Sequence, residues 1–198
     1  DTVRAVLVDR AGRPWAATNG GLSVLERESW RSYDVADGLP SNSLIGLAED
    51  REGNLWIGSD GAGLTCFSGG RFRTFTSRDG LASNVVLALR AEAGGTLWIA
   101  PNGGLSRLTD GRFVSFPGAA AGLGSDSVTQ VVEDARGDVW VGTSRGVSRI
   151  ARASLDTAAT DPSRLLEFET FDALDGMKSS QCTAPGQPSA SRGRDGRR

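Results

Sequence analysis

The chain contains no histidine, two cysteines, one methionine and one tyrosine in 198 residues. Without histidine it has no Ser-His-Asp or Cys-His catalysis, no His-ligated metal and no phosphoacceptor histidine of its own. Cys66 and Cys182 are too few and too far apart in sequence to form a disulfide framework or a thiolate metal site. No metal and no cofactor is therefore expected. Net charge is scarce too. With 22 Lys and Arg against 24 Asp and Glu, the formal charge is −2, so nothing electrostatic favours a nucleic-acid partner. The basic end RGRDGRR is local and reads as an interrupted segment. No apolar run approaches the roughly 18 to 20 residues that cross a bilayer, and DTVRAVLVDR does not have the form of a signal peptide. Any export signal would have to lie outside these residues.

What the chain does contain is repetition, which should be sought before local structure. GRPWAAT, GNLWIGS, GTLWIAP and GDVWVGT place Trp15, Trp56, Trp98 and Trp140 at spacings of 41, 42 and 42 residues. An aromatic pair keeps the same beat: Trp30 and Tyr33, Phe72 and Phe75, Phe113 and Phe116, Phe168 and Phe171. Within one unit, NSLIGLAED, NLWIGS, GLTCF and RFRTF are short apolar runs separated by REG, DGAG and SGG. Gly-bearing breaks between short runs signal hairpins, so each unit reads as four antiparallel strands, the size of one β-propeller blade. In LWI all three consecutive residues are apolar. A strand of that kind needs cover on both faces, as stacked blades provide.

The expected fold is all-β: a partial β-propeller forming a single unit over residues 1–198. Its blades are expected at 2–34, 43–76, 85–117 and 127–172, with a fifth beginning near 180. The fourth carries an insertion, ARASLDTAATDPSRLL, that suits a surface loop or short helix. Gly53, Gly95 and Gly137 each precede a Trp by three residues, so Gly196 anticipates another just after Arg198. Four and a fraction blades do not close a ring of ordinary size. Two blade faces would stay open, each large apolar side chain on them forgoing roughly 1.5–3 kcal/mol of burial, and self-association is the expected result.

Position by position, NLWIGSDGAGLTCFSGGRFRTFTSRDGLASNVV resembles the two-component regulator propeller repeat: a Gly-x-LWIG strand, a Gly-rich turn, a GL strand, a G-x-F strand, then DGL followed by SN. DGLPSNS at 37–43 and DGLASNV at 79–85 keep the last element, which weakens to AGLGSDS at 121–127. DGMKSSQCTAPGQPSASRGRDGR also resembles the closing blade of such proteins. The resemblance implies a segment from the extracytoplasmic, periplasmic sensor region of a large bacterial inner-membrane protein. Seven-bladed propellers are followed there by an Ig-like module, a membrane helix, and a histidine kinase or diguanylate cyclase. It further implies a homodimer rearranged by ligand binding. Alternatively, the blades would serve as a non-signalling scaffold that presents loops to another protein.

Asp9, Asp50 and Asp134 open D-x-x-G turns, with Glu92 in the same place in the third unit. Lacking the alternating oxygens and distal Glu of a calcium loop, they read as turn caps. Gly38, Gly80 and Gly176 of the DG turns are expected to supply positive φ, and Leu39 and Leu81 to pin the linkers to the core. Two sets of polar residues should gather at one end of the channel. Asn42, Asn84 and Asp126 come from the linkers entering each innermost strand; Asp60, Asn102 and Arg145 come from the loops between second and third strands. Such a ring suits a polar small molecule or oligosaccharide. Arg145, departing from the Asp or Gly of its equivalents, is the best candidate among them. Catalysis would have to rest on carboxylates alone, and no pair is marked by its spacing, so the chain reads as non-enzymatic.

Overall fold

Strand breaks fall where the glycines and aspartates stand, and each repeat unit becomes one antiparallel sheet. The structure, a computed structural model, describes residues 1–117, 128–143, 145–161 and 164–179. The first sheet contains β1 (Val3–Val8), β2 (Pro14–Thr18), β3 (Gly21–Glu26) and β4 (Ser29–Tyr33). The second contains β5 (Leu44–Glu49), β6 (Leu55–Ser59), β7 (Leu64–Ser68) and β8 (Arg71–Phe75). The third contains β9 (Val86–Ala91), β10 (Leu97–Pro101), β11 (Gly104–Thr109) and β12 (Arg112–Pro117). The fourth contains β13 (Val128–Glu133), β14 (Val139–Thr143), β15 (Gly146–Ile150) and β16 (Phe168–Phe171). In every sheet spatial order equals sequence order. The first strands β1, β5, β9 and β13 lie beside one another in succession, so the sheets stack as four blades of a partial β-propeller. The fifth unit expected from 180 lies outside the described residues.

Register repeats as faithfully as sequence. The four tryptophans occupy one position, facing Leu7, Ala48, Arg90 and Val132 on the first strands and Val24, Cys66, Arg107 and Arg149 on the third. Each first strand pairs with its second through a register shift near the same end. All five residues of β6 and of β10 are buried, the two-faced cover that LWI required.

The core sits between sheets rather than within them. One cluster joins Trp15, Leu22 and Tyr33 to Leu44, Leu47 and Ile57 across the first seam. A second joins Trp56 and Leu64 to Leu89, Leu97 and Leu108. A third joins Trp98 and Leu105 to Val131 and Val141. The aromatic pairs explain themselves here. Phe72 meets Tyr33 of the preceding sheet edge-on at 5.7 Å, and Phe113 meets Phe75 at 5.4 Å. Phe72 and Phe113, the first members of their pairs, thus reach backward onto the second member of the preceding blade's pair.

The insertion of the fourth blade forms α1 (Arg152–Thr160), which buries Leu155 and Ala158 against the third seam. The first blade shows what a seam contributes. Val6 is 51% exposed, whereas its register equivalents Leu47, Leu89 and Val131 are 5% exposed each. Trp30, the equivalent of Phe72, is 59% exposed.

Candidate functional site

The face to which the sequence assigned a polar ring is built from linkers and loops. After β4, β8 and β16 the chain makes one 3-10 turn: Val35–Asp37, Ser77–Asp79 and Ala173–Asp175. Each has a reciprocal capping box, with Asp34, Thr76 or Asp172 accepting from the turn and Asp37, Asp79 or Asp175 reaching back. Gly38, Gly80 and Gly176 end these turns at φ of 100°, 102° and 95°, the left-handed region open to glycine. Leu39 and Leu81 follow, both buried.

Asn42 and Asn84 then turn back onto the same structure. The Asn42 side-chain oxygen accepts from the Val35 N–H at 3.0 Å, and that of Asn84 accepts from the Ser77 N–H at 2.8 Å. Their carbonyl oxygens hold the linker, so a ligand using them would have to compete with that bond.

The loops between second and third strands dock on these linkers. Asp60 donates its N–H to the Ser43 carbonyl at 2.9 Å, and Asn102 donates to the Val85 carbonyl at 2.7 Å. The Gly63 N–H crosses to the Asn84 carbonyl at 2.7 Å, and Asp60 bridges to Val85. Linker and loop therefore form one continuous ledge across the second seam. The loops are also tied internally. The Ser59 and Thr143 hydroxyls donate to the Gly63 and Gly146 carbonyls at 2.8 and 3.2 Å. The same hydroxyls accept from the Ala62 and Arg145 backbone N–H groups at 3.1 Å each.

On this ledge the Asp60 carboxylate lies 4.0 Å from the guanidinium of Arg4, a residue of β1 that the sequence did not single out. Asp60, Asn102 and Arg145 are all exposed at the loop tips. Arg145 stands two sheets further round than Asp60, on the turn into β15. Asp126 lies outside the described residues. The ledge thus offers carboxylate, carboxamide and guanidinium groups on backbone fixed by hydrogen bonds.

The opposite end is structural chemistry. Asp9, Asp50 and Asp134 accept the indole N–H of Trp15, Trp56 and Trp140 at 2.9, 2.8 and 3.1 Å. The same carboxylates accept backbone N–H groups of Arg13, Asn54 and Asp138. The turn-cap reading therefore holds for the three aspartates, with an indole as a further donor, while the Glu92 carboxylate pairs with Arg90 instead. The indole bond has a sequence signal, an aspartate six residues before Trp15, Trp56 and Trp140. Burial pushes the Asp9 carboxyl up, but the Trp15 and Arg13 hydrogen bonds and the Arg13 charge together hold it below its ordinary 3.8. Asp138 is held low chiefly by hydrogen bonds from the Arg149 guanidinium and the Arg152 N–H. Burial pushes the Cys66 thiol up to about 11, leaving it protonated at neutral pH. Cys182 lies outside the described residues.

Among the described residues no group of three or more His, Cys, Asp or Glu side chains could hold a metal. No helix among them is long and apolar enough to cross a membrane.

Residues 38–61 and 122–145 match the family described as two component regulator propeller. No curated protein matches the chain. Among solved structures, the extracellular domain of BT3049 from B. thetaiotaomicron, described as a hybrid two component system, superposes with a TM-score of 0.78 at 21% identity. That match covers 98% of this chain and 26% of the other. The extracellular domain of BT4673 from the same organism gives 0.70 at 21% identity, covering 99% and 28%. Virginiamycin B lyase from Staphylococcus aureus gives 0.60 at 13% identity, covering 84% and 54%. At these identities the likeness is one of fold. The chain spans about a quarter of the length of the two B. thetaiotaomicron domains.

Proposed function

We propose, since this chain carries the two-component regulator propeller repeat, that it is a ligand-sensing segment on the extracytoplasmic side of a bacterial two-component sensor kinase or diguanylate cyclase. The ligand is a polar small molecule or an oligosaccharide, bound on the linker ledge. Binding there rearranges a homodimer of the larger protein and so carries the signal toward the membrane.

The observation that carries this reading is the docking of the Asp60 and Asn102 loops onto the linkers of Ser43 and Val85. It fixes the Asp60 and Asn102 tips while leaving both side chains exposed, as a pre-formed site requires. Arg145 suits hydrogen bonding to vicinal hydroxyls or a carboxylate, since a guanidinium presents a planar fork of donors.

The test is a screen of oligosaccharides of differing charge by titration calorimetry on the full chain. Arg145→Ala and Asn102→Ala should each weaken any ligand found at least tenfold without lowering Tm. Unchanged affinity in both variants removes this ledge as the site.

A further inference from the structure

On the face opposite the ledge, the second seam opens into a cleft of about 350 Å³, walled by Trp56, Phe75 and Leu108 and rimmed by Asp50, Glu92 and Asp110. Comparison of the seams explains why it is open. In the first, Phe67 reaches Trp15 with ring centroids 5.7 Å apart. The register equivalent of Phe67 in the third blade is Leu108, a smaller side chain facing Trp56. Beside Trp98, Arg107 spreads over the indole at 5.9 Å and pairs with Asp156 of α1 at 2.8 Å, closing the third seam from outside. The equivalent of Arg107 beside Trp56 is Cys66. Two fillers used elsewhere in the repeat are thus shortened together at one seam.

The charges around the opening are unevenly matched. Arg51 pairs with Glu52, and Glu92 with Arg90 at 3.1 Å. Asp50 accepts only neutral donors: the Trp56 indole, the Asn54 backbone and carboxamide, and the Glu52 N–H. Among the described residues neither Asp50 nor Asp110 makes an ion pair within 4 Å, and the one further cation on the lining is Arg73, 4.7 Å from the centroid of Phe75. The rim therefore keeps excess negative charge above an aromatic wall.

We infer that this cleft binds a compact organic cation with a flat apolar body, the body lying against Trp56 and Phe75 and the positive group facing Asp50 and Asp110. Aromatic faces attract cations and flat apolar groups, and the carboxylates select charge over a neutral isostere. The site is separate from the ledge and does not depend on its ligand.

The probe is benzamidine, with uncharged benzamide as control, titrated into the full chain while the Trp56 indole N–H resonance is followed. Benzamidine should shift it saturably, and benzamide should bind at least tenfold more weakly. Asp110→Asn should weaken benzamidine about fivefold. Leu108→Phe, which supplies the ring of the first seam, should abolish the shift. Cys66→Arg, which supplies the residue of the third and fourth blades, should do the same and gives a second readout if Leu108→Phe fails to fold. No shift with benzamidine, equal shifts with both probes, or saturation unaltered in Asp110→Asn and in a folded filling variant would overturn the assignment.

Discussion

The indole N–H of Trp98 donates to Glu133 Oε2 at 2.8 Å, across the seam, rather than to an acid of its own hairpin. In the other three blades an aspartate six residues before the Trp accepts that hydrogen bond. The third blade has Glu92 there, one methylene longer and paired with Arg90. The third seam thus gains a hydrogen bond joining two blades where the others have one within a blade.

Removal of that acceptor should be costly, because Trp98 is fully buried. Glu133→Ala is expected to lose about 1–3 kcal/mol in urea denaturation, the cost of an unpaired donor. Glu92→Asp restores the local partner and should recover part of the loss in the double variant. Additive effects in the cycle would show that the two acids do not share the indole.

The lowered carboxyls of Asp9, Asp138 and Asp156 set an acid limit. For Asp156, burial pushes upward and is outweighed by hydrogen bonds and charge from Arg107 and Arg152. Below about pH 4 the unfolded chain takes up protons on these groups that the folded chain refuses. Their stabilisation is complete above the unfolded pKa and is lost as pH falls through the lower folded values. Asp9→Asn should flatten part of the fall of Tm with acidification; an identical profile would remove Asp9 from that account.

Two glycines of one loop should respond differently. Gly61 and Gly63 have φ of 98° and 86°, but a Cβ at Gly61 meets open space while one at Gly63 strikes the Phe75 carbonyl. Gly61→Ala is expected to cost roughly 1–2 kcal/mol, the strain of a left-handed residue. Gly63→Ala should exceed about 3 kcal/mol by adding the clash. Equal denaturation midpoints would contradict the backbone approach described.

Val6 and Leu47 share a register position but not an environment. Leu47→Lys buries a charge within the first seam and should destabilise by more than about 3 kcal/mol. Val6→Lys should leave Tm within a degree or two. By breaking the open apolar face of Val3, Val6 and Trp30, it should also reduce self-association of the full chain in light scattering. Loss of folding in Val6→Lys would mean that this face is covered.

The fold was largely legible because tryptophan spacing, Gly breaks and aromatic pairs all state one period. The site was less so. Asn42 and Asn84 stood at plausible ligand positions, yet their oxygens hold 3-10 turns, since a carboxamide satisfies nearby backbone as readily as a ligand. Arg4 gave no signal, because its partner Asp60 is 56 positions away in sequence. The cleft at Trp56 was equally hidden. Leu108 and Cys66 look like ordinary apolar variation until register sets them beside the same indole.

The sequence by itself determined the blade, its strand order and its period, because those depend on local alternation, turn chemistry and repetition along the chain. Tertiary structure alone decided which faces of the blades are sealed, which carboxylate accepts each indole hydrogen bond, and which seam is left open. Those outcomes depend on side-chain volume and charge meeting across two blades, a relation between residues some forty positions apart that no single repeat contains.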